Sequence, residues 1–180
     1  MDDTFLKKLE AAKDWLRGEY SGIRTGQAAP ALLDAVRVEN YGTLSPLNQV
    51  GSISVEDART LRISPWDASN ITAIERAVTE ADLGVSVATD SSGLRVIFPE
   101  LTSERRAQLE KLAKSKLEDA RVRVKTARDE AVKQIDAAEK TGDISEDERF
   151  SQKEKVQDKV DAANKELESI YTAKTKEINS

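Results

Sequence analysis

Four basic residues, Lys114, Arg121, Lys125 and Arg128, follow one another at spacings of seven, four and three. At about 100° per helical residue they fall in one narrow stripe that runs over roughly 20 Å of helix axis. The segment from Arg105 to Arg128 holds nine basic residues against three acids, Glu110, Glu118 and Asp119. Three acids cannot neutralise nine cations at the three- and four-residue spacing at which helical ion pairs form. The neighbouring helices need not supply more. An ordinary charge run is a solvated helix face, but a row of cations with so few local counterions is better matched by a phosphate backbone.

Other chemistry is scarce. The chain has no Cys and no His, which removes disulfides, the usual zinc sites, thiol nucleophiles and every Ser-His or Cys-His arrangement. Carboxylate and lysine chemistry remain, yet the acids fall on helical faces among Lys and Arg, where they read as solvated ion pairs. No Gly-rich phosphate loop or metal-ligand spacing is present. No catalytic residue, metal or cofactor is expected, and the chain is expected not to be an enzyme. MDDTFLKKLE at the N-terminus lacks the apolar core of a signal peptide, and no stretch approaches the ~20 apolar residues of a membrane span. A monomeric cytoplasmic protein with no membrane partner is expected.

The stripe must be positioned by long helices. Phe5, Leu9, Ala12, Leu16, Tyr20 and Ile23 recur at helical spacing and predict a first helix near Thr4 to Thr25, stopped by Gly26, with Trp15 on the rim of its apolar face. After Pro99, Thr102 or Ser103 caps a second helix. Leu109, Leu112, Leu117, Ala120, Val124, Ala127, Ala131, Ile135 and Ala138 carry its stripe to about Lys140. Thr141, Gly142 and Asp143 break it, and Ser145 with Glu148 reads as a capping box for a third helix, whose stripe is Val156, Val160, Ala163, Leu167 and Ile170. Helices this long are not stable on propensity alone, so the three stripes must bury one another in an elongated antiparallel three-helix bundle.

Between the first and second helices the periodicity changes. Val36, Val38 and Tyr41, then Val50, Ile53 and Val55, then Leu61 and Ile63 read as short strands. Ile71, Ile74, Ala77, Val78 and Ala81 read as a helix between Ser69 and Asp82, and Val85 to Ala88 with Leu94 to Phe98 flank a turn. Trp66 is expected as a packing anchor of this part. The fold class is therefore α+β: residues 1–29 and 102–180 form the bundle, and residues 30–101 form an inserted small β/α/β domain. Two hinges, with Gly26, Ala28, Ala29 and Pro30 in one and Pro99, Leu101 and Thr102 in the other, join them.

Charge separates the two parts. The net charge is −5, yet residues 1–29 hold five acids and five bases, and residues 102–180 hold eighteen of each. The insert, with ten acids and five bases, carries the whole excess and should avoid anionic partners.

The junction Ile23-Arg24-Thr25-Gly26-Gln27-Ala28-Ala29-Pro30, followed by Ala31-Leu32-Leu33-Asp34, resembles the ribosome recycling factor family, whose junction motif is Ile-Arg-Thr-Gly-Arg-Ala-x-Pro with a short apolar run after it. The same order continues in Tyr41-Gly42-Thr43, Val55-Glu56-Asp57, Asp82-Leu83-Gly84, Leu101 to Arg106, and Ile144-Ser145-Glu146-Asp147. The resemblance implies a bacterial-type translation factor, similar in outline to a transfer RNA and without catalytic activity. Such a factor enters the ribosome after peptide release and, with elongation factor G and GTP, splits it into subunits. It also implies a bundle laid on large-subunit ribosomal RNA and a small domain facing the small subunit. Carried over by position, the RNA-contacting arginines fall on Arg24, Arg106 and Arg128.

Two departures stand out. Gln27 replaces the second junction arginine, and Lys125-Thr126-Ala127-Arg128-Asp129-Glu130 replaces the family's Arg-Asn-x-Arg-Arg-Asp. Lysine keeps charge without bidentate phosphate geometry, and Asp129 reverses the sign beside Arg128. Weaker or more salt-sensitive ribosome binding is expected unless Arg121 and Arg123 compensate. Two other classes fit parts of the sequence: a coiled-coil scaffold or chaperone, and a factor of this fold that holds ribosomes without recycling them.

Overall fold

A computed structural model describes residues 3–180. It forms two compact units, one made of the residues up to Arg24 together with Ser103–Asn179, the other of Thr25–Thr102. The first unit contains the helices α1 (Asp3–Ser21), α4 (Ser103–Lys140) and α5 (Glu146–Ile178). The second contains β1 (Arg37–Asn40), β2 (Thr43–Pro46), the short α2 (Leu47–Val50), β3 (Gly51–Asp57), β4 (Thr60–Pro65), α3 (Ile71–Glu80), β5 (Ser86–Thr89) and β6 (Leu94–Ile97). Two 3₁₀ turns, Pro30–Leu33 and Ala68–Asn70, lead into β1 and α3.

The three apolar stripes of the first unit meet as a bundle. Phe5, Leu9, Ala12, Leu16 and Tyr20 of α1 are buried against α4 and α5. On α4 the buried line runs Leu109, Ala113, Leu117, Ala120, Val124, Ala127, Ala131 and Ile135. Leu112, expected on this line, is 41% exposed; the steps of four from Leu109 through Ala113 to Leu117 set the seam and turn Leu112 away. α5 contributes Val156, Val160, Ala163, Leu167 and Ile178.

Polar contacts register the helices. Buried Tyr20 donates through Oη to the Ala113 carbonyl at 2.6 Å, and burial pushes its phenol up to about 12. Lys13, also buried, pairs with Glu10 at 2.7 Å on its own helix and with Glu166 of α5 at 3.0 Å. Burial opposes charge there, but the two carboxylates outweigh it and hold the ammonium pKa above the usual lysine value. Buried Lys174 donates to the Ile23 carbonyl at 3.2 Å, just beyond the end of α1. The capping box of α5 is formed: Glu148 N–H donates to Ser145 Oγ at 3.1 Å, and Ser145 N–H donates to Glu148 Oε2 at 2.9 Å.

α1 ends at Ser21, earlier than the apolar spacing predicts, and Gly26 shapes the crossing instead of stopping the helix. Its φ of +76° is left-handed, and a Cβ there would lie 3.1 Å from Leu101 Cγ in the other crossing. The two crossings therefore meet at a position that only glycine fills without strain.

In the second unit, β3-β4-β6-β5 form an antiparallel four-stranded sheet, and β1-β2 form a separate hairpin. Leu61 and Ile63 of β4, Leu94 and Val96 of β6, and Ile74 and Val78 of α3 build its core with Leu33, Val36 and Val38. β2 and α2 were not foreseen: Thr43–Pro46 shows no buried alternation, and Val50, expected to open a strand, instead closes one helical turn. Trp66 corrects another expectation, being 69% exposed. It lies one residue past the end of β4, where its N–H donates to the Val50 carbonyl at 3.0 Å and its side chain stays outside the core.

Candidate nucleic-acid interface

The basic residues of α4 divide three ways by the partners their side chains find. Arg121 leans toward α5, donating to Glu118 at 2.9 Å and to Glu168 of α5 at 2.5 Å. The acid that the neighbouring helices were expected to withhold is thus supplied. Arg123 and Lys116 lean toward α1, where they lie 4.2 and 5.8 Å from the ring centroid of Trp15. Lys116 also faces Glu19 at 3.8 Å.

Among the described residues no side chain pairs with Lys114, Lys125 or Arg128. Lys114 and Lys125 are exposed, and Arg128 is half-buried at the edge of the core line. Lys111, one turn before Lys114, is exposed and likewise unpaired, and its angular position adds it to the same face. Its spacing of three from Lys114 was the available signal in the sequence. Asp129, which follows Arg128, is exposed and forms no ion pair with Lys125 four positions earlier among the described residues.

The other basic candidates differ. Arg106 donates through Nε to the Ile178 carbonyl at 3.2 Å, tying the start of α4 to the end of α5, so part of its guanidinium serves the bundle. Arg24 is exposed beyond α1. Arg121 and Arg123, the expected compensators for the missing arginines, are engaged by Glu168 and by Trp15. What remains free is a lysine-rich face with one arginine, which offers charge with fewer two-pronged phosphate contacts.

Of the hinge candidates, Ala28 belongs to the body of the small unit: it is buried in that core and its N–H donates to the Ala58 carbonyl at 2.8 Å. Ala29 and Pro30 begin the following 3₁₀ turn. That leaves Thr25 to Gln27, with Gly26 at the centre, as the part of the first crossing outside that core, and Gln27 Nε2 donates to Ser180 Oγ at 2.6 Å. In the second, Phe98 N–H donates to the Arg59 carbonyl at 2.8 Å and fixes the small-unit side, while Pro99 and Thr102 are exposed and Leu101 is half-buried.

Among the described residues no group of Cys, Asp or Glu forms a metal cage, and no helix is long and apolar enough to cross a membrane.

The family model described as ribosome recycling factor matches residues 16–178. The chain is 41% identical over 175 residues to the ribosome-recycling factor of Rhodospirillum centenum, covering 97% of this chain and 95% of that one. It is 44% identical over 165 residues to the ribosome-recycling factor of Anaeromyxobacter dehalogenans, covering 92% and 88%. A solution structure of the ribosome recycling factor matches with a TM-score of 0.61 at 36% identity, over 97% of this chain and 92% of that one. A second match, with a TM-score of 0.58 at 31% identity and 97% and 95% coverage, comes from models of the T. thermophilus ribosome recycling factor and the E. coli elongation factor G bound to the E. coli post-termination complex. Sequence motifs, two-unit architecture and full-length similarity converge, and the chain belongs to the ribosome recycling factor family.

Proposed function

We propose that this protein is a translation factor that, with elongation factor G and GTP, splits post-termination ribosomes into subunits after peptide release. The observation that carries the reading is the unpaired cationic face of α4, Lys111, Lys114, Lys125 and Arg128, in a family member whose small unit carries the acidic excess. The free cations meet phosphates of large-subunit ribosomal RNA by displacing counterions, while the acidic unit is repelled by the same RNA. Arg24 and Arg106 extend the contact at the crossing end of the bundle. The two crossings, Thr25 to Gln27 and Pro99 to Thr102, are the pivot on which the small unit moves. The protein works as a non-enzymatic factor in the cytoplasm, and its chemistry is binding energy converted to displacement by its partner.

The test is dissociation of post-termination ribosomes followed by light scattering. Splitting that requires the protein, elongation factor G and GTP together is the expected result. Salt-sensitive binding without splitting would assign a ribosome-holding role instead, and absence of binding would return the bundle to the class of protein scaffolds.

A further inference from the structure

Three large apolar side chains of the small unit stand in solvent: Tyr41 at 88% exposure, Leu44 at 72% and Trp66 at 69%. The Tyr41 hydroxyl lies 3.5 Å from Asp67 Oδ2, which sets the β1–β2 hairpin tip beside the corner leaving β4, where Trp66 precedes Asp67. Asn40 and Thr43 close a two-residue loop in which Tyr41 and Gly42 have φ of 50° and 81°. Positive φ at both positions is the type I′ geometry, which favours Asn-Gly and disfavours a bulky aromatic at the first site. A tyrosine held there and left in water contributes little to folding, so its ring serves something outside the chain.

The charge around it states what that is. Residues 30–101 contain no lysine, and of their five arginines Arg59, Arg62 and Arg95 are paired with Glu100, Asp90 and Glu56. Glu39, directly opposite Leu44 in the hairpin ladder and on its face, and Asp67, beside Tyr41, pair with no cation among the described residues. Asp67 is kept ionised by hydrogen bonds from Ser69, with a smaller contribution from Tyr41. We infer that Tyr41, Leu44 and Trp66, rimmed by Glu39 and Asp67, form a docking patch for a basic protein surface. A Lys or Arg of the partner lies over the rings, its aliphatic stem covers Leu44, and the two carboxylates match its charge. Nucleic acid, which would also stack on exposed aromatics, is repelled by the same carboxylates.

This rests on the proposed function and deepens it. In the full chain, Tyr41→Asn improves the turn while removing the ring, so its melting temperature should equal or exceed that of the parent. Tyr41→Asn combined with Trp66→Ser should slow ribosome splitting at least tenfold while ribosome affinity, carried by α4, changes less than threefold. Unchanged splitting by this double variant, with the parent active, overturns the patch. An inactive parent overturns the proposed function instead, and the patch is then read by cross-linking alone. For that readout, benzoylphenylalanine at position 41 is photolysed in a complex reconstituted from post-termination ribosomes, elongation factor G and GTP. A covalent product at a Lys- or Arg-rich protein segment is expected; a product with ribosomal RNA, one with an acidic protein segment, or none at all would overturn the inference.

Discussion

A cation on α4 pairs with α5, stacks near α1 or finds no partner, and that difference decides which charges can leave the protein for RNA. Arg128 is the stripe arginine that no side chain pairs with among the described residues, whereas Arg121 is held by Glu118 and Glu168. Replacing it with Gln keeps helix propensity and shape, so stability should hold while ribosome affinity falls by about tenfold or more, the loss of one charge-assisted contact. A filter-binding Kd for the variant within twofold of the parent would contradict this. Asp90 makes a prediction about pH. Its carboxylate accepts from Arg62 at 2.6 and 2.9 Å and from the Ser92 and Gly93 amides at 2.9 Å, and the Arg62 hydrogen bonds above all hold its pKa well below the ordinary carboxylate value. A depressed folded-state pKa gives stability that is complete above the unfolded value of 3.8 and lost as pH falls through the folded one. Asp90→Asn should therefore melt below the parent at pH 7, and the gap should shrink as pH drops below about 4; a constant gap in thermal melts would count against the clamp. The stripe was readable at this scale because helical angle follows from spacing alone. The capture of Arg121 by Glu168 was not, because it depends on which neighbour lies 47 residues away.

Helices and strands were legible in unequal measure. The long helices show their seams as three and four spacings, and the Ser145–Glu148 box marks the start of α5 in the sequence as clearly as in the structure. Removing that cap by Ser145→Ala should lower stability by about 1 kcal/mol, with the loss seen first as faster amide exchange in the opening turn of α5. Exchange rates equal to the parent there would deny the box a stabilising role. The small unit was harder to read. Its hairpin strand Thr43–Pro46 keeps Leu44 outside, so no apolar alternation announces it, and α2 is one turn long with no periodicity to detect. Trp66 misled for a physical reason: it falls one residue past the end of β4, where no strand alternation announces which side its ring takes.

Across the whole molecule, a charge-neutral helical unit and an acidic α+β unit are joined by two covalent crossings that touch where Gly26 meets Leu101. If displacement of the small unit performs the splitting, Gln27→Cys and Glu100→Cys joined by a reducible cross-linker should leave ribosome binding intact and abolish splitting until the linker is cut. Splitting by the linked protein would argue against a pivot. The charge partition and the double crossing follow from segment counts and from the switch in periodicity near Gly26 and Leu101. The narrowing of the first crossing to Thr25–Gln27 does not, because only the folded chain shows Ala28 hydrogen-bonded to Ala58. The account as a whole depends on the free face of α4 being the RNA contact. The most direct test is the salt dependence of ribosome affinity for the parent and for Lys114→Gln/Lys125→Gln/Arg128→Gln. At roughly 0.7–0.9 units of slope per neutralised phosphate, the triple variant should bind more weakly, with a log Kd against log salt slope shallower by about two. An unchanged slope would place the RNA contact elsewhere on the protein.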